Sequence, residues 1–157
     1  ASDAIPWDEY SHGDRFGSRF KHLTEAVMGK DRKWHVGVAI EELPPGKQSC
    51  PFHFHMLEEE HLLVLEGECT LRLGDERYTL KAGDYVGFPA GQRAGHCLIN
   101  ESDKPFRFNM IGDRSPHEVC VYPDSGKVMI DAFDRLIVRQ AESLDYLDGE
   151  KPDEPAK

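Results

Sequence analysis

The sequence has no long hydrophobic run. None of its apolar stretches approaches the roughly 20 residues that a helix needs to cross a bilayer. Its first residues also lack the basic segment followed by an apolar one that marks a secretory signal. These absences argue against a membrane-spanning helix, and we expect a cytoplasmic protein.

Paired cysteines and an excess of basic residues are missing too. The four cysteines form no CxxC pair, so we expect neither disulfides nor a structural zinc knot and interpret them as small buried side chains. Nineteen Lys and Arg stand against 29 Asp and Glu, a formal net charge of −10. That charge repels phosphate backbones and anionic membrane surfaces, so neither nucleic acid nor a membrane is an expected partner.

Short strand-like segments dominate what is present. With 157 residues and 39% hydrophobic residues, the chain is long enough for one domain with a real core. Gly, Pro and Asp turns separate segments rich in β-branched and aromatic residues, which predicts an all-β sandwich or barrel. In the segment 34–40 we expect Trp34 and Val36 to face the core. The predicted strands include residues 34–40, 68–73, 77–80, 97–99, 106–111, 119–122 and 127–133.

The segment between Pro44 and Gly67 carries the first candidate site. His53 and His55 are one residue apart on a predicted strand, so alternation sends both imidazoles to one face, which can hold a metal. Three acidic residues follow, and Glu60 opens an apolar run. A carboxylate beside an imidazole pair supplies mixed nitrogen and oxygen ligands.

A second segment, residues 83–100, supplies a further ligand. A strand with Tyr85 and Phe88 enters a Pro-Ala-Gly turn, and the next strand begins at His96. Three histidines and one glutamate then become available for one site.

These two segments together resemble the paired motifs of the cupin superfamily. The matching positions are Pro44, Gly46, His53, His55, Glu60 and Gly67, then Gly83, Pro89, Gly91, His96 and Asn100. Relative to the usual spacing there is one extra residue before His53 and there are two before His96, both in loops, where insertions are tolerated. The resemblance spans about a third of the chain and implies a double-stranded β-helix, the cupin jelly-roll barrel.

The chain is then expected to divide into three parts. Residues 1–30 form an N-terminal arm, in which irregularly spaced aromatic residues predict packing on the barrel or on a second subunit. Residues 31–134 form the cupin barrel. Residues 135–157 form a C-terminal extension that begins with either a strand or a short helix, and its Pro-rich, charged end is predicted to be a flexible, disordered tail.

The resemblance also implies the metal site. His53, His55, Glu60 and His96 would bind one divalent ion, Zn, Fe, Mn, Ni or Co, and leave two positions for ligand oxygens. Glu60 fits the family spacing better than its alternatives Glu58 and Glu59. The sequence does not choose among the five metals.

The other polar residues near these motifs have simpler interpretations. Arg93 is either a ligand for a carboxylate or phosphate or a solvated loop residue, and Asn100 is expected to fix the backbone. His61 should face away from the site, and His117 should be exposed. On 106–110, either the Arg107 and Asn109 set or the intervening apolar set faces inward.

Small single-domain cupins of this kind are named as sugar or sugar-phosphate isomerases, and that activity is the leading expectation. In it the metal acts as a Lewis acid, and Glu58, Glu59 or a metal-bound hydroxide shuttles a proton through an enediolate. The alternatives are an iron-dependent dioxygenase acting on a small chelating substrate and a non-catalytic cupin that binds a small ligand. The expected partners are a small polar molecule and a second copy of the chain in a homodimer.

Overall fold

The computed structural model describes residues 1–30 and 33–149, and most of its regular structure is antiparallel β-strand. The strands are β1 (Asp8–His12), β2 (Phe16–His22), β3 (Val36–Leu43), β4 (Phe54–His55), β5 (Glu60–Glu66), β6 (Glu68–Leu73), β7 (Glu76–Lys81), β8 (Tyr85–Phe88), β9 (His96–Ile99), β10 (Phe106–Asp113), β11 (Val119–Tyr122), β12 (Lys127–Ile130) and β13 (Leu136–Arg139). Helix α1 (Leu23–Met28) follows β2, and three short 3-10 turns cover Ser2–Ala4, Pro123–Ser125 and Asp131–Phe133.

The strands assemble in an order far from their order in sequence. One sheet runs β1-β2-β3-β10-β5-β8, a second runs β13-β12-β11-β4, and a third runs β7-β6-β9. Strand β10 therefore lies between β3 and β5, as the long connections of a jelly roll require. The all-β, double-stranded β-helix prediction is confirmed.

The core fills the space inside these sheets. Leu43, Leu62, Phe106 and Phe108 have no exposed surface and belong to one apolar cluster. On β10 the apolar set therefore points inward, and Arg107 pairs with a glutamate of β3 on the other face.

Strand β3 has the opposite orientation to the one predicted. Val36 is 48% exposed, whereas Glu41 and Leu43 are buried. Because side chains alternate along a strand, residues with the parity of Leu43 face the barrel interior and those with the parity of Val36 face outward. The prediction that Val36 faces the core was wrong because the interior set of this strand contains a glutamate and small residues.

The first 30 residues pack on the barrel of their own chain. Strands β1 and β2 form a hairpin, and β2 pairs with β3 so that Phe20 lies opposite Glu41. The Tyr10 hydroxyl donates a hydrogen bond to the backbone oxygen of Ser49, and the Tyr10 ring stacks on Phe20 with centroids 5.9 Å apart. The hairpin thus contributes a wall to the barrel interior.

The C-terminal extension begins as a strand, β13, which pairs with β12. No helix or strand follows within residues 140–149. The predicted disordered end lies outside the described residues. Among the helices that are described, none has the length and apolar character to cross a membrane, and a cytoplasmic location stays a prediction. All four cysteines are free thiols, and Cys50 alone is more than slightly accessible.

Candidate metal centre and its cavity

Backbone pairing brings the two motifs together. His53 and His96 form an antiparallel bridge in which each backbone N–H donates to the other residue's carbonyl oxygen, at 3.2 and 2.7 Å. His55 ends β4, and the N–H of Gly91 donates to its carbonyl oxygen at 2.9 Å. Gly91 has φ of +73°, a conformation that glycine adopts readily, so the turn of the second motif can close on the strand of the first.

The fourth predicted ligand arrives from the facing sheet. Glu60 is the first residue of β5, and its Oε2 lies 3.1 Å from Nε2 of His96 and 3.6 Å from Nε2 of His55. One ligand atom each from His53, Glu60 and His96 lies within 4.8 Å of the others. The fold therefore brings His53, Glu60 and His96 together inside the barrel, and His55 adjoins this group through Glu60.

Neighbouring groups fix the rings of the histidines. Nδ1 of His53 lies 2.8 Å from the carbonyl oxygen of Pro51, which can only accept, so Nδ1 carries the proton and Nε2 keeps its lone pair. The ring of His96 stacks on Phe88 with centroids 3.8 Å apart. Such outer contacts orient the ligands of a metal site.

Glu118 holds the segment that connects His55 to Glu60. It is fully buried, and its carboxylate accepts hydrogen bonds from the backbone N–H groups of Met56, Leu57 and Glu58, at 2.8, 3.0 and 2.8 Å. Its Oε1 also lies 3.4 Å from Nδ1 of His55. One carboxylate thus shapes the turn between two ligands and faces the non-ligating nitrogen of one of them. Glu118 is not among the site residues predicted from the sequence.

The charges of the site suit a cation. Burial and the nearby His96 lower the pKa of His53 to about 4, so this imidazole is neutral at pH 7. Burial alone would raise the pKa of Glu60, but the hydrogen bond with His96 and the other imidazoles lower it to about 2. A neutral imidazole and an ionised carboxylate are the protonation states in which these side chains bind metals.

A metal accounts for an otherwise costly feature of the site. Both ring nitrogens of His55 are buried, and neither has a hydrogen-bond partner among the described residues. Such unpaired polar atoms destabilise a fold unless a ligand pairs with them. A divalent ion between His55, Glu60 and the other two histidines would pair with Nε2, so the residues present fit the ion. The donor set of three nitrogens and one carboxylate suits all five metals named above.

Two other clusters in the same region are less suitable. His53 and His55 also lie near Cys120, but burial raises the pKa of the Cys120 thiol to about 12, and the thiolate is the form that binds metals. His55, Glu58 and Glu118 form a third group. The oxygens of Glu118 already accept three backbone hydrogen bonds, so the cluster with Glu60 is the better site.

Glu58 and Glu59, the alternative carboxylates, come directly before β5 and point in different directions. Glu58 accepts a hydrogen bond from the N–H of Ser115 at 2.6 Å and lies 3.7 Å from Nδ1 of His55. Glu59 lies on the outer surface beside His61, which also hydrogen-bonds Tyr85. His61 faces away from the site, as predicted.

The remaining motif residues have structural positions. Asn100 is fully buried and donates to the backbone oxygens of Leu43 and Lys104, which fixes the backbone as expected. Arg93 and His117 are exposed, and Arg93 is outside the lining of both cavities described next.

A cavity of about 370 Å³ opens directly onto the cluster. Its lining is mainly apolar, with a few polar groups in addition to the candidate ligands. The apolar residues are Phe20, Leu62, Phe88, Leu98 and Met110, and the polar residues beyond the ligands are Tyr10, Glu41, Ser49 and Cys50.

A second cavity, of about 330 Å³, reaches the cluster from the side of His55. Glu41 and Glu60 line both cavities. The sequence analysis missed Glu41 and the role of Tyr10. Glu41 could have been predicted to face the interior, because it lies two residues before the buried Leu43 on β3. Nothing in the local sequence places Tyr10 at the cavity, since that depends on the order of the strands.

Comparison with known proteins agrees with this architecture. The family model "Cupin domain" matches residues 39–112. The crystal structure of a proposed sugar phosphate isomerase from Acidithiobacillus ferrooxidans has a TM-score of 0.80 and 27% identity, and the match covers 91% of this chain and 92% of that one. A sugar phosphate isomerase of the cupin superfamily from Silicibacter pomeroyi has a TM-score of 0.79 and 28% identity, with 94% and 96% covered.

A curated relative is similar over a shorter stretch. Quercetin 2,3-dioxygenase of Bacillus subtilis is 35% identical over 102 residues, which are 64% of this chain and 30% of that protein. This chain thus spans less than a third of the length of that relative. The matched domain, the strand order and the two structural neighbours that span nearly the whole chain show that this protein contains a cupin domain and has the cupin fold.

Proposed function

We propose that this protein is a metal-dependent isomerase of a small, uncharged hydroxy-carbonyl compound such as a sugar. The observation that carries the proposal is the cluster of His53, His55, Glu60 and His96 at the edge of a cavity of about 370 Å³, a volume that suits one small molecule. The two structural neighbours that span nearly the whole chain are named as sugar phosphate isomerases, which supports the reaction class.

A divalent metal held by these four residues supplies Lewis acidity that polarises a bound carbonyl group. The side chains of the protein orient the ligand and keep water out. Phe88 and Phe20 close two sides of the cavity, and Tyr10 presents a hydroxyl that already donates to Ser49 and can therefore accept from a ligand.

The cavity lining favours an uncharged substrate over a phosphorylated one. No Lys or Arg lines the larger cavity in the described part of the chain, and two glutamates do. A phosphate there would lose part of its hydration and would find no cationic side chain to pair with, so only the metal ion itself would offset its charge. The proposal therefore keeps the reaction class of the two structural neighbours and departs from the charge of the substrate in their names.

The smaller cavity does not supply a cationic side chain that could bind a phosphate either. Its two arginines lie at its outer end, where Arg114 packs on the ring of Trp34 at 4.1 Å and Arg135 lies 3.7 Å from Asp131. Six acidic residues line the same cavity: Glu25, Glu41, Glu58, Glu60, Asp113 and Asp131. The local charge there is also unfavourable for a phosphate.

Proton exchange followed by NMR in D₂O tests the proposal. The protein loaded with each of the five metals is given dihydroxyacetone, ribose and the phosphate ester of each. We expect exchange at the carbon beside the carbonyl group of an uncharged sugar, and its loss in His96→Ala. No exchange with any metal would contradict the isomerase, and exchange with the esters alone would contradict the substrate class.

The 35% identity with quercetin 2,3-dioxygenase favours a second candidate, an iron-dependent dioxygenase that acts on a small chelating substrate. Oxygen uptake by the iron-loaded protein in the presence of small enols and catechols would distinguish it from the isomerase. Stabilisation by a ligand without turnover would instead mark a binding protein.

We also propose a homodimer, as the sequence analysis expected. The aromatic residues of the N-terminal hairpin are partly used within the chain, since Tyr10 stacks on Phe20 and Trp7 lies 4.5 Å from the guanidinium of Arg19. Light scattering on a sizing column would measure the mass directly, and a monomer would contradict this proposal.

A further inference from the structure

Two adjacent glutamates on β3 have opposite surroundings. Glu41 and Glu42 are each 6% exposed and point to opposite faces of the sheet. Glu42 lies between two guanidinium groups, 2.6 Å from Arg19 and 2.9 Å from Arg107, so it is held as a carboxylate. Among the described residues, no Lys or Arg makes an ion pair with Glu41.

The hydrogen bonds of Glu41 indicate whether its carboxyl group carries a proton. Oγ of Ser18 lies 2.5 Å from Oε1 of Glu41 and 3.1 Å from the backbone oxygen of Glu42. A serine hydroxyl has one proton to donate, and a carbonyl oxygen can only accept. Both contacts are full hydrogen bonds only if Ser18 donates to the backbone of Glu42 and Glu41 donates to Ser18. That arrangement requires a proton on the carboxyl group of Glu41.

The groups that face Glu41 also favour a protonated carboxyl group. Burial raises the pKa of Glu41 to about 8, opposed by the contact with Ser18 and increased by the negative charge of Glu60. Two other polar residues that line the cavity, Tyr10 and Cys50, also have raised pKa values because of burial, so both stay neutral and cannot offset a negative charge on Glu41. Glu41 thus lies where an ionised carboxylate would be buried without a cationic side chain as its partner.

We propose that Glu41 is a neutral carboxylic acid in this protein and that it donates a hydrogen bond to an oxygen atom of the ligand in the cavity. Glu41 lines both cavities beside Glu60, so a ligand that reaches the metal cluster also reaches this side chain. An apolar site can keep a carboxyl group protonated at neutral pH so that it serves as a donor. The inference rests on the proposed function only for the nature of the ligand.

Infrared difference spectra between the full-length protein and Glu41→Gln test the protonation state. We expect a band of a protonated carboxyl group at neutral pH that is absent in Glu41→Gln and present in Glu59→Gln, a control on the outer surface. In Ser18→Ala the band should remain but shift, because Glu41 loses its partner. A wild-type spectrum without this band would overturn the proposal, and Ser18→Ala decides the question even if Glu41→Gln folds poorly.

Ligand binding tests the donor role. With dihydroxyacetone bound to the metal-loaded protein, the band should shift again, and an unshifted band would overturn the role. In the exchange assay, Glu41→Gln keeps a neutral donor and should change KM little, whereas Glu41→Leu should raise KM by about tenfold, the effect of one hydrogen bond. Equal KM values in Glu41→Leu and the wild type would also overturn it. A wild type that exchanges no sugar contradicts the isomerase, and the infrared bands still decide the state of Glu41.

Discussion

The two walls of the large cavity are built on different principles. On the metal wall, which carries the candidate metal ligands, His53, Glu60 and His96 come from strands and turns that backbone hydrogen bonds hold in place. The opposite wall includes Tyr10, Phe20 and Glu41, which come from β1, β2 and β3. The candidate metal ligands thus lie on one wall of the cavity, and residues that could select a bound molecule by its shape and polarity lie mostly on the other wall.

This difference bears on how the function of a cupin is assigned. The metal wall can be recognised from motif spacing and is compatible with several reactions, because a shared fold does not set function. The lining of this cavity contains no Lys or Arg among the described residues, which supports the proposal of an uncharged ligand. The next four predictions change one wall or its support at a time.

Removal of a ligand from the metal wall should have the largest effect. His96→Ala leaves three ligands and should weaken metal binding by about 1,000-fold, or about 4 kcal/mol, since loss of a supporting residue alone costs about 10–100-fold. The matched control is His61→Ala, which removes an imidazole next to Glu60 on the outer face. Metal titration by calorimetry should show an unchanged control. Equal losses in both variants would mean that the metal binds elsewhere.

Removal of the support behind the metal wall should come second. Glu118→Ala leaves the N–H groups of Met56, Leu57 and Glu58 without their acceptor, and each buried unpaired group costs about 1 kcal/mol or more, so we expect a loss of about 3 kcal/mol. Urea unfolding of the metal-free protein measures this loss. A variant as stable as the wild type would show that the carboxylate does not hold the turn.

The protonation of Glu41 on the opposite wall should make the stability of the protein depend on pH. Because the pKa of Glu41 is raised to about 8 from 4.5, the folded state binds the proton more tightly than the unfolded state. The resulting stability is fully present below the unfolded pKa and is lost as the pH rises through about 8. Relative to the wild type, Glu41→Gln should therefore gain about 2 kcal/mol between about pH 6 and about pH 8. Urea unfolding at both pH values measures the difference, and parallel stability curves would show an ionised Glu41.

The smallest effect should come from the rim of the same wall. Tyr10→Phe removes one hydrogen bond, from the hydroxyl to the backbone of Ser49, and should lower the free energy of unfolding by about 1 kcal/mol. Metal affinity should not change, because the tyrosine belongs to the opposite wall. A large loss of metal affinity in this variant would mean that the two walls are not independent.

Several features of the fold could be predicted from local sequence. The hairpin of β6 and β7 around Gly74 follows from turn residues between two β-prone segments, and its predicted bounds lie within one residue of those found.

Gly67 shows why the last position of the first motif requires glycine. Its φ is +84°, and a Cβ there would lie 2.7 Å from the backbone oxygen of Pro105.

Other features could not be predicted locally. The segment 1–30 was interpreted as an irregular arm because its aromatic residues have no strand periodicity, yet β2 becomes a strand by pairing with β3. The orientation of β3 was wrong at Val36 because apolar alternation cannot tell which face is covered by the rest of the barrel. Glu118 lies about 60 residues from the backbone groups it binds, and no local pattern connects them.

The sequence by itself determined the family motifs, the four side chains that come together and the acidic surface charge, because these depend on residue type and on spacing along a strand or turn. The tertiary structure alone decided which groups surround the candidate metal cluster: the apolar cavity lining, the carboxylate of Glu118 and the buried carboxyl group of Glu41, which has no ion-pair partner among the described residues. Those groups meet through strand pairing between distant segments, and the cost of burying an unpaired polar group depends on what lies across the barrel and not on its neighbours in sequence.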